Sequence, residues 1–403
     1  MTTQTTAHTT ATHQTAAQAG AARIEWIRSR MSMLATLRGE LAQTRPFVGH
    51  RIGMSLHLEP KTAVLLETLA AGGAEIVATG NHGSTQDDVV AALREQGMTL
   101  FGRRDDSIQQ HAANVDAVLD AHPDILLDNG GDLAAGIVAR GAADSIIGGT
   151  EETTSGGLRL RGELAGALPF PVIVINDSML KAIGENRHAV GQSVVESFMR
   201  ITNVMVPGRH VLVAGYGWCG RGIAQSFRAL GAQVAVAEID ELKAFEAALD
   251  GFRVGALGEL VEWADVVITA TGQPGVVGSE AFGGLRDGAI LANSGHFPWE
   301  IDVQALREQA TSTRTIADAV ERVDLADGRH VILLADGRMV NLAGRDPKGN
   351  SLEAMDLGFM LQVLSLERVA TGADALQPGP QPVPNDIERR IARAFLAALD
   401  SGR

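Results

Sequence analysis

Gly215, Gly217 and Gly220 follow the short apolar run Val211-Leu212-Val213-Ala214 and precede Ile223, Phe227 and Leu230 at helical spacing, so strand, tight turn and helix succeed one another. At this spacing the first glycine permits the turn, the second lets a pyrophosphate approach the backbone and the third lets helix pack on strand. The helix N-terminus then offers N–H groups to the anion. A second strand, Gln233 to Ala237, delivers Glu238 about twenty residues after the first glycine. A carboxylate there holds both ribose hydroxyls of NAD and repels the 2'-phosphate of NADP, so NAD is the expected cofactor.

Polar runs recur at the ends of other strand-like segments, where α/β sheets bind ligands. His57-Leu58-Glu59-Pro60-Lys61-Thr62 follows Arg51 to Leu56 and leads into a helix, Ala63 to Ala71. Gly80 to Asp87 follows Glu75 to Thr79, and Asn129-Gly130-Gly131-Asp132 follows Ile125 to Asp128. Ile146-Ile147 precedes a run from Gly148 to Gly156 containing Glu151-Glu152-Thr153-Thr154-Ser155. Val172 to Ile175 precedes Asn176-Asp177-Ser178-Met179-Leu180-Lys181, with Glu185-Asn186 just beyond. Ala270-Thr271-Gly272 and Ser294-Gly295-His296-Phe297 end two later strands, Val266 to Thr269 and Ile290 to Asn293, on the expected nicotinamide side.

The elements that must position these runs are layered α/β units. The chain has 403 residues, suggesting two or three domains, and its 45% apolar but only 4% aromatic content implies a core of Ala, Val, Leu and Ile. Apolar spacing from Ile24 to Leu41 predicts a helix, as it does around Gln192 to Val204 and from Leu352 to Val369. Arg338 to Leu342 reads as a short strand. Residues 1–20 read as a disordered tail and Gln377 to Pro384, with proline at every second position from Pro378, as a linker before an amphipathic helix, Ile387 to Leu399. A net charge of -14 argues against nucleic acid and anionic membranes, and one cysteine, Cys219, excludes a disulfide framework and a multi-thiolate metal site. No metal is expected. No apolar run is long enough to span a bilayer and no secretory pattern opens the chain, so a cytoplasmic protein is expected.

Taken in order, these motifs resemble the S-adenosylhomocysteine hydrolase family, from about Arg51 to about Val369. The resemblance lies in Leu56-His57, Ser84-Thr85-Gln86-Asp87, Asp128-Asn129-Gly130-Gly131-Asp132, Glu151-Glu152-Thr153-Thr154, Asn176-Asp177-Ser178 with Lys181, Gly215-Tyr216-Gly217, Gly295-His296-Phe297 and Val340-Asn341-Leu342. It implies a Rossmann-type NAD domain hinged to an α/β substrate domain, with the chain returning to the substrate domain near its end. The implied division is substrate domain 21–186, NAD domain 187–344, return 345–376, then linker and helix 377–403. The implied chemistry is a redox cycle on a nucleoside: transient 3'-oxidation, removal of the 4'-proton, elimination at C5', addition and reduction. By position, Lys181 and Glu185 would sit at the 3'-hydroxyl, with Lys181 lowered in pKa by burial and a cationic neighbourhood. Glu152 would hold sugar hydroxyls, and His57 and His296 would do acid/base work near neutrality. Thr153, Thr154, Ser155, Asn186, Glu238, Thr271 and Asn341 match cofactor contacts. A nucleoside substrate and a homo-oligomer, dimer or tetramer, follow from the same resemblance.

Departures gather at the substrate. Asn129 stands where the family has a second aspartate and cannot exchange a proton; Glu185 replaces an aspartate, and Val190 a cysteine. Glu59 and Lys61 replace a threonine and a glutamate, and Gly349-Asn350-Ser351 replaces the family's Gly-His-Pro gate, which makes Glu59, Lys61 and Asn350 candidate substrate contacts. A basic, tyrosine-containing tail that in the family reaches a neighbouring NAD is not found before Arg403. The expectation is a divergent member that dehydrates an adenosine-like nucleoside at C5', as in angustmycin-type antibiotic biosynthesis, whose dehydratase belongs to this superfamily. Ordinary S-adenosylhomocysteine hydrolysis is the alternative, and a catalytically inactive NAD-binding regulatory paralogue a second.

Overall fold

The computed structural model describes residues 14–296 and 298–401. The chain divides into two compact units, residues up to Asp124 and residues from Ile125 onward, so the expected domain boundaries at 186 and 344 both fall inside the second unit.

In the first unit three parallel strands, β1 (Arg51–Ser55), β2 (Glu75–Thr79) and β3 (Thr99–Phe101), pair in that order. Apolar residues on both faces of β1 and β2 bury them fully, as expected for parallel strands covered by helices. The helix Pro60–Ala71 starts with proline at its first turn, where the missing N–H costs nothing. The single helix expected from Ile24 to Leu41 is two, Ala16–Arg28 and Ser32–Thr44, each turning its own apolar residues inward. Part of the expected tail is therefore helical: residues 1–13 lie outside the described residues, but Thr15 caps the first helix in a reciprocal capping box with Gln18.

The second unit carries two sheets. One runs β4 (Ile125–Asp128), β5 (Gly148–Glu151), β6 (Pro171–Val174) and β15 (Gly379–Pro382), all parallel. The other holds eight strands in the order β12-β13-β14-β11-β10-β7-β8-β9. Its parallel part comprises β7 (His210–Ala214), β8 (Gln233–Ala237), β9 (Arg253–Val254), β10 (Val266–Thr269), β11 (Ala289–Asn293) and β14 (His330–Leu334). The antiparallel β12 (Ala310–Ala317) and β13 (Val320–Leu325), which periodicity did not predict, extend one edge. This order, with β7 central and crossovers on both sides, is the doubly wound dinucleotide-binding arrangement.

Three expectations are corrected here. The third polar run starts too early: Gly148-Gly149-Thr150-Glu151 is itself strand β5, because Gly149 lies where a Cβ would come 2.6 Å from the Leu126 carbonyl oxygen. The proline-rich linker is an edge strand, β15, and an edge tolerates proline because one side of the strand makes no ladder bonds. Arg338 to Leu342 is not a strand but 3-10 turns, Ala335–Gly337 and Val340–Leu342, joined to β11 only by a bridge between Asn293 and Met339.

Candidate active site

Strands β4 and β5 end in register, Asp128 opposite Glu151, and both carboxylates are buried. Glu151 accepts hydrogen bonds from the backbone N–H groups of Gly130, Gly131 and Thr153 and from the Thr153 hydroxyl, at 2.7–3.0 Å. Asp128 accepts from the N–H groups of Asn129 and Ala134. Burial pushes Asp128 up to about 8, reinforced by the charge of Glu151, and burial raises Glu151 as well. These two residues, quoted in the motifs but given no role, are the posts on which the loops bearing Asn129 and Glu152 are fixed. Thr153 supports the same loop, since its hydroxyl caps the helix Thr154–Arg161 through Gly156 N and approaches Ser155 Oγ at 3.2 Å. Thr154 is exposed at the first position of that helix.

The loop after β6 runs directly into a π-helical stretch, Lys181–Ala189, continued by the α-helix Val190–Thr202. π-Turns of this kind concentrate at functional sites, and here the turn points Lys181 and Glu185 the same way. Lys181 Nζ lies 2.9 Å from Glu185 Oε2 and also bonds Glu152 Oε1, while Gln362 Nε2 donates to Glu152 Oε2; all four side chains are buried. Gln362 comes from the helix Leu352–Gly372, which approaches closely because Gly358 leaves the space beside Glu185: a Cβ there would be 2.6 Å from Glu185 Oε2. Asn350 Nδ2 donates to Glu185 Oε1 at 3.4 Å, and Asn186 donates to Asn176 at 3.0 Å. The expected lowering of Lys181 is overturned. Burial alone would lower it, but the charges of Glu152 and Glu185 outweigh burial and raise it, so the ammonium stays protonated. Glu152 is raised to about 7, by burial first and by Glu185, against the opposing pull of Lys181.

At the dinucleotide loop Gly215 adopts φ +98°, in the left-handed region, and nothing lies within 4 Å of a Cβ at Gly217. A Cβ at Gly220 would meet the Gly215 carbonyl oxygen at 2.0 Å, and one at Gly222 would meet that of Arg187 at 1.7 Å. The dinucleotide helix Trp218–Ala229 is thereby pressed onto the helix that carries Lys181, and Cys219 comes within the electrostatic reach of Lys181, Glu185 and Glu300 while burial pushes its thiol up to about 12. Glu238 accepts from the N–H groups of Tyr216, Ile239 and Asp240 at 2.7–2.9 Å, which holds its carboxylate over the turn. Glu300, fully buried and not singled out from sequence, accepts from Thr271 N, Thr271 Oγ1 and Gly272 N, each at 2.8 Å. Asn341 donates to Ser193 while its buried Oδ1 has no partner. An open glycine, a fixed carboxylate at the end of β8 and an unmatched acceptor beyond β11 fit a bound NAD, and NAD is the cofactor of this site. His296 is half-buried, and loss of solvation drives it down to about 4 against a smaller upward pull from Asp132. It is neutral at physiological pH, not a group titrating near neutrality; its neighbour Phe297 lies outside the described residues.

In the first unit His57 Nδ1 lies 2.7 Å from Ser84 Oγ, whose own proton goes to the Asn81 carbonyl at 3.0 Å, so Nδ1 donates. Lys61 Nζ pairs with Glu59 Oε2 at 3.2 Å, and Lys61 is buried.

The family model for "S-adenosyl-L-homocysteine hydrolase, NAD binding domain" matches residues 186–346, and that for "S-adenosyl-L-homocysteine hydrolase" matches residues 10–145. The chain is 44% identical to S-inosyl-L-homocysteine hydrolase of Methanopyrus kandleri, over 93% of this chain and 89% of that one. It is 42% identical to adenosylhomocysteinase of Archaeoglobus fulgidus, over 94% of each chain, and 42% identical to that of Thermotoga maritima, over 94% and 95%. The dipicolinate synthase of Bacillus halodurans shares the fold, with a TM-score of 0.50 at 14% identity over 81% of this chain and 99% of that one.

Proposed function

Since the chain belongs to the S-adenosyl-L-homocysteine hydrolase family and is an NAD-dependent enzyme of that type, we propose that it cleaves the C5'–S thioether of an S-nucleosyl-homocysteine, releasing nucleoside and homocysteine. The observation that carries this reading is the buried cluster in which Lys181 stands between Glu152 and Glu185. A permanently charged ammonium there holds a ribose hydroxyl as its proton departs, and the carboxylate best suited to take that proton is Glu152, whose affinity for it sits near neutrality. NAD, when bound, supplies the reversible oxidation at C3' that makes the neighbouring C4' hydrogen acidic. Glu238 holds the ribose of the cofactor, and Glu300 fixes Thr271 and Gly272 against it. His296, neutral through the working range, accepts a proton at C4' or C5' and does not enter the reaction as an acid. His57 is the proposed acid at C5', its ring fixed by Ser84. Asn350, tied to Glu185, helps hold that carboxylate against Lys181.

A second reading, 5'-dehydration, is favoured by Asn129: it is buried among the loop posts and its side chain has no proton to exchange, a loss that elimination without re-addition tolerates better than thioether hydrolysis. One experiment separates the two. S-Adenosyl- and S-inosyl-homocysteine are each incubated with the enzyme and thiol release is followed, while adenosine and inosine are examined by mass spectrometry for loss of water. Homocysteine release from either thioether supports the hydrolase. A dehydrated nucleoside without thiol release replaces it with the dehydratase, and neither product rejects both.

A further inference from the structure

Asn341 sits two residues beyond Met339, which bridges Asn293 at the carboxyl end of β11. That is the nicotinamide end of a dinucleotide fold. Its buried Oδ1 has no hydrogen-bond partner, and such an orphan acceptor is costly unless a ligand satisfies it. The donor NAD brings to that end of the fold is the carboxamide N–H. An amide can satisfy a donor there only if it keeps its oxygen inward, and nothing in Asn341 itself decides between its two ends.

Ser193 makes that decision. Its buried hydroxyl accepts from Asn341 Nδ2 at 3.1 Å, which turns Oδ1 the other way. The hydroxyl has one proton and two acceptors within reach, the Val190 carbonyl at 3.2 Å and Asn350 Oδ1 at 3.1 Å. Either choice leaves a lone pair aimed at Asn341, so Ser193 cannot swap roles without leaving an acceptor unmet. Asn350 in turn donates to Glu185, the partner of Lys181. The hydroxyl therefore joins the segment on which the chain leaves the Lys181 region, helix Val190–Thr202, to both ends of the segment on which it returns, Asn341 and Asn350.

We propose that Ser193 is a positioning residue for the cofactor: its hydroxyl fixes the amide of Asn341 with the oxygen facing the site, where it accepts from the carboxamide of NAD. The proposal rests on NAD as cofactor and not on which nucleoside bond is broken. It is tested by equilibrium competition on the full-length holoprotein carrying radiolabelled NAD, chased with NAD or with 3-acetylpyridine adenine dinucleotide, whose ketone has no N–H to give. The wild-type protein should prefer NAD by about tenfold, the worth of one hydrogen bond of ~1.4 kcal/mol. Ser193→Ala should bring the preference to within about twofold, because the freed amide can turn its nitrogen to the ketone, and Ser193→Thr should restore it. General damage to the fold weakens both dinucleotides together and leaves their ratio unchanged. A wild-type ratio retained in Ser193→Ala overturns the proposal. A ratio retained in Asn341→Ala overturns it at its premise, by removing the carboxamide from Asn341, and leaves the choice between thioether cleavage and dehydration untouched.

Discussion

A buried lysine flanked by two carboxylates has a definite consequence at the level of single side chains. Removing Lys181 leaves Glu152 and Glu185 buried together without their counter-ion, the arrangement for which breaking a buried pair costs ~3–5 kcal/mol. Lys181→Met should therefore lower the thermal midpoint by several degrees and abolish the NADH absorbance that appears on mixing with nucleoside; a normal transient in the folded variant would take Lys181 out of the oxidation step. Protonation also has a sign. Asp128 and Glu152 are raised on folding, to about 8 and about 7, so the folded chain holds protons that the unfolded chain has released and their contribution is lost as pH rises toward those values. His296 is depressed to about 4, so its contribution is present above the ordinary imidazole value, ~6.5, and lost as pH falls. Between about pH 6.5 and 8 only the carboxylates act, and stability should fall. Urea midpoints across that window should decline in the wild type and decline less in Asp128→Asn.

Elements place these residues through close backbone approach, and glycines reveal where. Gly217 has open space around its missing Cβ, whereas Gly222 faces the Arg187 carbonyl at 1.7 Å. Gly217→Ala should leave the melting temperature within a degree or two and weaken NAD by at least tenfold, because only the pyrophosphate meets the new methyl. Gly222→Ala should destabilise by ~1–3 kcal/mol, the usual result of overpacking. Calorimetry with and without NAD distinguishes the two; equal loss of stability in both variants would mean that the loop is not open to a ligand.

On the scale of the molecule, the last strand and helix close the sheet beneath the site. β15 covers the edge of β6, and Glu388 in the helix Asn385–Ser401 accepts from Met179 N at 3.0 Å, two residues before Lys181. A chain ending at Leu376 exposes the β6 edge and releases that loop, so it should aggregate on size exclusion and exchange amide hydrogens faster at 172–180. A monodisperse truncated protein with unchanged exchange would show that the segment is dispensable. Among the described residues no helix is long and apolar enough to cross a membrane.

Local pattern determined a great deal. The apolar run, glycine spacing and Glu238 disclosed the dinucleotide site, because turn geometry and strand order within one βαβ unit are set by neighbours in sequence. The polar runs after strands disclosed Lys181, Glu152 and Glu185 for the same reason. What only tertiary structure decided was their electrostatics and their supports. Lys181 is raised and not lowered because Glu152, 29 residues away, reaches it across two strand ends. Gln362 bonds Glu152 from 210 positions along the chain, and Ser193 bonds Asn341 from 148. Glu151, Glu300 and Ser193 carry no periodic signal, since a buried carboxylate or hydroxyl is recognisable only once the N–H groups it satisfies have been folded around it. Proline-rich β15 went unread because a strand that makes half its ladder bonds is defined by the neighbour it pairs with, and that neighbour is more than two hundred residues earlier in the chain.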